Sequence, residues 1–164
     1  MVQLLSLLVE NRSGVLARVV GLFSQRGYNI ETLNVAPTSD PTISLITLST
    51  KTDVAGTEQV IKQLNKLIDV IKVIPYNPQV HMAREMALIR VRVTESTRSE
   101  ILELSKVFRA RVVDASPQSC VFEVTGNPEK INGFLQNMRV YGVRDVHRTG
   151  CLSLSRGSAE KRRG

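Results

Sequence analysis

Val2-Gln3-Leu4-Leu5-Ser6-Leu7-Leu8-Val9-Glu10-Asn11-Arg12-Ser13-Gly14-Val15-Leu16-Ala17-Arg18-Val19-Val20-Gly21-Leu22-Phe23 is the stretch that decides the fold of this chain. It opens with an aliphatic run broken only by Gln3 and Ser6, the pattern of a strand buried on both faces. Glu10 to Gly14 is turn chemistry. Leu16, Val19, Val20 and Phe23 then recur at helical spacing, and Gly27 supplies a stop. Outward from there, Tyr28 to Val35 reads as a strand, Pro37 to Pro41 as a turn, and Thr42 to Leu48 as a paired hairpin strand. Val60, Ile61, Leu64 and Leu67/Ile68 mark the apolar side of a second helix, and Val70 to Ile74 a last strand before Pro75 and Pro78. The order is βαββαβ.

The second half repeats that order. Glu85 to Thr94 reads as a strand, and Thr97-x-x-Glu100 as a capping box ahead of Ile101, Leu104 and Phe108. Two short strands flank Ser116-Pro117-Gln118. Asn127-Pro128 opens a helix whose face is Ile131, Phe134, Leu135 and Met138, and Val143 to Val146 closes the unit. Apolar positions 16, 19 and 23 thus reappear at 101, 104 and 108. The expectation is an α+β fold of two ferredoxin-like βαββαβ units, residues 1–76 and 84–157, joined by a linker at 77–83 and followed by a basic tail at 158–164. Units this small bury only about 60% of their unfolded surface and are marginal alone. Dimerisation is therefore expected, with pairing between chains covering the open sheet faces and edges.

Composition narrows the function. At 164 residues, with 42% hydrophobic and 23% charged side chains, the chain is an ordinary globular one, too short for a barrel enzyme and too apolar for extended disorder. No apolar run approaches the ~18 residues of a membrane span, and Met1-Val2-Gln3-Leu4 lacks the start of a signal peptide. A cytoplasmic location and no membrane partner are expected. Cys120 and Cys151 stand apart from any CxxC or Cys/His cluster, so they read as buried or idle thiols rather than a disulfide or zinc site. The net charge of +7 is uneven: residues 1–83 carry 7 basic and 6 acidic side chains, residues 84–164 carry 15 and 9. Lys161, Arg162 and Arg163 of the tail contribute three of that excess.

Catalytic material is sparse. His81 and His147 have no neighbouring acid or nucleophile in sequence, and no phosphate loop, dinucleotide fingerprint, HExxH or GxSxG occurs. The best candidate site is Asn11-Arg12-Ser13-Gly14-Val15, where a helix begins with unpaired N–H groups and a positive dipole end suited to a carboxylate. Gly14 admits a ligand close to the backbone, and Asn11 offers both a donor and an acceptor. Taken alone, the same residues are better read as a helix cap, from Asn11 or Ser13, with Gly14 serving the turn. Asn29 is an amide between Tyr28 and Ile30 at the start of a strand, where it needs a partner or simply belongs to the turn after Gly27.

The string Leu7 to Val19, followed by Gly21-Leu22-Phe23-Ser24-Gln25-Arg26-Gly27-Tyr28-Asn29-Ile30-Glu31-Thr32-Leu33 and Val35-Ala36-Pro37-Thr38, closely resembles the small regulatory subunit of acetolactate synthase. The likeness continues through Lys62 to Leu67, Arg84-Glu85, Phe108-Arg109, Val113-Asp114, Thr125-Gly126, Arg148-Thr149-Gly150 and Leu154 to Gly157. It implies an N-terminal ACT domain, a C-terminal ACT-like domain and no catalysis by this chain. It also implies a valine effector, feedback inhibition, and a large catalytic partner that carries thiamine diphosphate, magnesium and FAD for branched-chain amino-acid synthesis. The chain itself would hold no cofactor. In such proteins two ACT domains pair side by side. By that resemblance Asn11, Gly14 and the Val15 backbone would come from one chain, Asn29 and Ile30 from its partner, with Ala36 nearby. Arg12 stands where the family more usually has an acidic or neutral residue, Leu45 where it commonly has arginine, and His147 and Cys151 are also atypical.

Two other classes share parts of this pattern. The RNA-recognition fold has the same βαββαβ order and would suit the basic second half, but it stacks bases on aromatics in its central strands. Thr42 to Leu48 has none, and the matching strand of the second unit offers only Phe122, so no nucleic-acid partner is expected. A free-standing ACT sensor is the other, disfavoured by the long second unit and its Leu-Ser-Arg-Gly ending.

Overall fold

The computed structural model describes residues 2–157; the basic tail at 158–164 lies outside the described residues. Element order is β1 (Val2–Glu10), α1 (Val15–Gln25), β2 (Ile30–Pro37), β3 (Ile43–Lys51), α2 (Val54–Leu64), β4 (Val70–Pro75), β5 (His81–Arg92), α3 (Arg98–Val107), β6 (Arg111–Ala115), β7 (Ser119–Gly126), α4 (Pro128–Met138), β8 (Val143–Arg148) and β9 (Leu152–Ser155). Four strands pair antiparallel in the order β2-β3-β1-β4, and four in the order β6-β7-β5-β8, with β9 also pairing β5. Both are the ferredoxin-like arrangement that the βαββαβ reading predicts.

The chain divides into two compact units, one of Met1–Met82 with the segment from Gly150 onward, the other of Ala83–Thr149. Two differences from the sequence reading follow. Residues 81–83 of the expected linker already belong to β5, because alternating burial begins at His81. The segment from Gly150, read as the end of the second unit, groups with the first.

In the first unit, Leu5, Leu7 and Val9 of β1 and Ile46 and Leu48 of β3 pack against Val15, Val19 and Phe23 of α1 and Val60 and Leu64 of α2. Each such side chain contributes about 1.5–3 kcal/mol by leaving water. The buried face of α1 is therefore Val15, Val19 and Phe23; Leu16, expected inside, is exposed. Val19 and Phe23 are inside as expected; a helix starting at Val15 completes that i, i+4, i+8 row with Val15 in place of Leu16. α2 ends at Leu64, so Leu67 and Ile68 lie beyond it, Ile68 at 94% exposure. Asp53 caps α2, accepting from the Gly56 N–H at 2.7 Å.

In the second unit, Ala87, Ile89 and Val91 of β5 and Cys120, Phe122 and Val124 of β7 pack against Ile101, Ile131, Phe134 and Met138. Phe134 meets Phe108 and Phe122 edge-on at centroid distances of 5.5 and 5.6 Å. Asn127 caps α4 through its side chain, as read, with Pro128 opening the helix. The capping box at Thr97 does not form: the Thr97 hydroxyl accepts from the Thr94 N–H at 3.0 Å, which uses it in the preceding turn. His81 is buried, its Nδ1 3.1 Å from the Asn77 N–H, and both cysteines are buried and reduced.

Candidate functional site

The β1–α1 junction is built by backbone geometry. Gly14 takes φ +86, a left-handed conformation that costs a residue with a Cβ about 1–2 kcal/mol. It stands at the N-cap of α1, and no side chain caps the helix. Of the two sequence alternatives, the helix-cap role for Asn11 or Ser13 is thereby removed. Asn11 turns instead to the β2–β3 turn, donating from Nδ2 to the Pro41 carbonyl at 2.9 Å, while its N–H donates to the Thr42 carbonyl at 2.8 Å. That turn is held by Asp40, whose carboxylate accepts from the Thr42 N–H at 2.9 Å and its hydroxyl at 2.7 Å. These two Thr42 hydrogen bonds, the hydroxyl's first, hold the Asp40 carboxyl below its ordinary pKa. Asp40 and Pro41, which hold the candidate residue Asn11 in place, were not singled out as such by the sequence.

Charge around the helix start is paired. Arg12 meets Glu10 at 2.8 Å, and Arg18, one turn into α1, meets the buried Asp69 at 2.6 Å. Arg12 is thus paired with Glu10 at the surface, its own side chain 71% exposed. Leu45 is half-buried on β3, opposite Ala36 and Leu8.

The candidate residues fall into two groups. Asn11, Gly14 and Val15 lie at one end of the first sheet together with Ala36, since Val9 and Pro37 both pair with Ser44. Asn29 and Ile30 lie at the other, where Ile30 pairs with Thr50. Ser44 and Thr50 are six positions apart on β3, about 20 Å of extended chain. Asn29 is exposed and donates to the Glu31 carboxylate at 3.0 Å, its carbonyl accepting from the Thr50 hydroxyl at 2.7 Å. Glu31 also meets Lys51 at 3.2 Å. The Asn29 hydrogen bond first, then Lys51, draws the Glu31 carboxyl below its ordinary pKa. β2 is an edge strand, so its outer backbone groups are available for pairing.

Elsewhere the chemistry is structural. Glu85, buried in the second unit, is ion-paired with Arg148, which also donates to the Asn132 side chain at 2.8 Å. Its open sheet face is laced by Arg90–Asp145 at 2.9 Å and Arg111–Glu123 at 3.0 Å. Among the described residues no three His, Cys, Asp or Glu side chains are placed to hold a metal ion, and no helix is long and apolar enough to cross a membrane.

Comparison with known proteins decides the family. Residues 5–72 match the model of the acetohydroxyacid synthase small subunit-like ACT domain, and residues 84–157 that of the small subunit of acetolactate synthase. The acetolactate synthase small subunit of Haemophilus influenzae is 44% identical over 156 residues, covering 94% of this chain and 96% of its own. The chain belongs to the acetolactate synthase small-subunit family. The small subunit of Mycolicibacterium smegmatis is 45% identical over 153 residues, covering 93% of this chain and 90% of its own. The crystal structure of the acetolactate synthase small subunit from Thermotoga maritima superposes with a TM-score of 0.84 at 35% identity, covering 95% of this chain and 98% of that one. As a member of that family, the chain carries an ACT domain over residues 5–72, which contains the β1–α1 junction described above.

Proposed function

We propose that this small subunit binds a branched-chain amino acid, valine above all, at a site completed by two copies of the chain, and that it thereby controls a separate catalytic large subunit. The observation that carries the reading is the separation of the two residue groups. Asn11, Gly14, Val15 and Ala36 sit about 20 Å from Asn29 and Ile30 in one chain. Antiparallel pairing of β2 with its copy, centred between Leu33 and Asn34, would set Ile30 of one chain opposite Pro37 of the other. Each end of the shared sheet would then hold one group from each chain.

The chemistry of the groups suits the ligand. The uncapped start of α1 and the Cβ-free Gly14 favour a carboxylate. The two exposed amides suit an ammonium and the remaining carboxylate oxygen, and Ile30, Ala36 and Val15 are aliphatic. A ligand bridging two chains favours the paired state, and so can shift what that state does to a partner enzyme. In this reading catalysis, with thiamine diphosphate, magnesium and FAD, belongs to the large subunit, and the small chain activates it and confers feedback inhibition.

Calorimetric titration of the purified chain with L-valine, with glycine as a size control and the oligomeric state followed alongside, tests the proposal. Saturable valine binding that is lost in Asn29→Ala supports it; a valine response undiminished in that variant contradicts the site.

A further inference from the structure

The last described segment of the chain, from Gly150 to Arg156, lies across the open face of the first sheet. Leu5, Leu7, Ile46 and Leu48 face the helices, so Ser6, Thr47 and Ser49 point to the opposite face, where they are nonetheless buried. Ser153 of β9 reaches Ser6 with hydroxyl oxygens 2.8 Å apart, and Ser6 in turn lies 3.3 Å from the Thr47 hydroxyl. Gly150 is set against β2: a Cβ there would stand 3.2 Å from the Thr32 Cβ and 3.6 Å from the Leu33 nitrogen, and its φ is +78. At the far end the Arg156 N–H donates to the Val80 carbonyl at 2.7 Å. The polarity of β9 is inverted, since its serines face the sheet while Leu152 and Leu154 are 49% and 68% exposed. The segment is thus seated by the pairing of β9 with β5, by the buried Cys151, by the Ser153 hydroxyl and by the close approach of Gly150 to β2.

Its seat on β2 falls beside the proposed site. Thr32, bonded to Ser49 at 2.6 Å, closes the register shift in which Glu31 is the extra residue between Ile30 and Thr32. Any ligand that fixes Asn29 and Ile30 fixes the bulge, and with it the surface on which Gly150 rests.

We infer that the Gly150–Arg156 segment is a strap whose docking is coupled to effector occupancy at the β2 edge, an inference that rests on the effector reading above. The bound effector orders the bulge and holds the strap down; by reciprocity, a loosened strap weakens the effector.

Hydrogen exchange of the full-length chain with and without L-valine, read at the amides of 151–156, is the test, paired with calorimetry on Gly150→Ala and Ser153→Ala. The expected result is exchange slowed about five-fold or more by valine, and valine affinity lowered by about that factor in Gly150→Ala, less in Ser153→Ala. Valine binding to the parent chain with strap exchange unchanged, and with unaltered affinity in both variants, overturns the coupling alone. Failure of valine to bind the parent chain at all overturns the effector reading, and the coupling with it. If circular dichroism shows Gly150→Ala unfolded, parent-chain exchange and Ser153→Ala decide the matter.

Discussion

Asn11 and Asn29 stand at opposite ends of one four-stranded sheet, the first beside the Val9–Ser44 pair and the second before the Ile30–Thr50 pair. Two amides suited to one small zwitterion are thus held apart by the strands between them. Regulation through a site shared between two chains depends on that separation.

Gly14→Asp places a carboxylate at the mouth of the α1 N-terminus. A Cβ there has room, its nearest neighbour being the Arg18 guanidinium at 3.9 Å, so the cost comes from φ +86. Asp tolerates that conformation better than most residues, and about 1 kcal/mol of destabilisation is expected. Valine binding should vanish while activation of the large subunit persists. Thermal unfolding and reconstituted synthase assays check the two halves, and equal valine sensitivity in the variant would place the site elsewhere.

Asp40→Ala touches no proposed ligand atom, yet it releases the turn whose Pro41 carbonyl holds Asn11. Weaker valine binding is expected with little change in overall stability. The same carboxyl gives a pH dependence. Its folded pKa lies below the ordinary value of 3.8, so its contribution is present above the unfolded pKa and is lost as pH falls through the folded one. The order of the turn, followed by NMR at Thr42, should therefore persist through pH 3.8 and be lost only as pH falls through the lower folded pKa.

Asn29→Ala removes the leading cause of the depressed Glu31 pKa and leaves Lys51 as its partner. The Glu31 carboxyl should titrate higher, and because both groups are exposed, stability should be nearly unchanged. An NMR titration of Glu31 measures the first effect. A large loss of stability would mean that Asn29 is structural rather than a ligand.

Glu85→Ala strands Arg148 without its buried partner. Breaking a buried pair costs about 3–5 kcal/mol; with Arg148 30% exposed, about 2–3 is expected. Denaturant unfolding should show the loss in the second unit, where Glu85 and Arg148 join the facing ends of β5 and β8.

The sequence carried both βαββαβ orders, because aliphatic strands and amphipathic helices leave strong periods. It misjudged finer placement where one residue shifts the phase, as with Leu16 for Val15, or where a side chain has two uses, as with Thr97. β9 escaped notice for a physical reason. Leu152-Ser153-Leu154-Ser155 alternates, but with serines inward onto the buried Ser6, the reverse of what hydrophobic patterning seeks. At the site, Gly14 and Asn11 were legible as a helix start. The Pro41 carbonyl that holds Asn11 was not, since a backbone acceptor thirty residues away leaves no trace in residue type.

The measurement that most directly tests the central claim is valine titration of mixed chains. Gly14→Asp and Asn29→Ala, each expected to bind no valine alone, are combined in equal amounts and allowed to exchange partners. In a two-fold dimer whose site draws on both chains, each mixed dimer keeps one intact site, so about a quarter of all sites recover valine binding. Recovery to that level is the predicted result. No recovery, with mixed dimers demonstrated by mass, would contradict a site shared between chains.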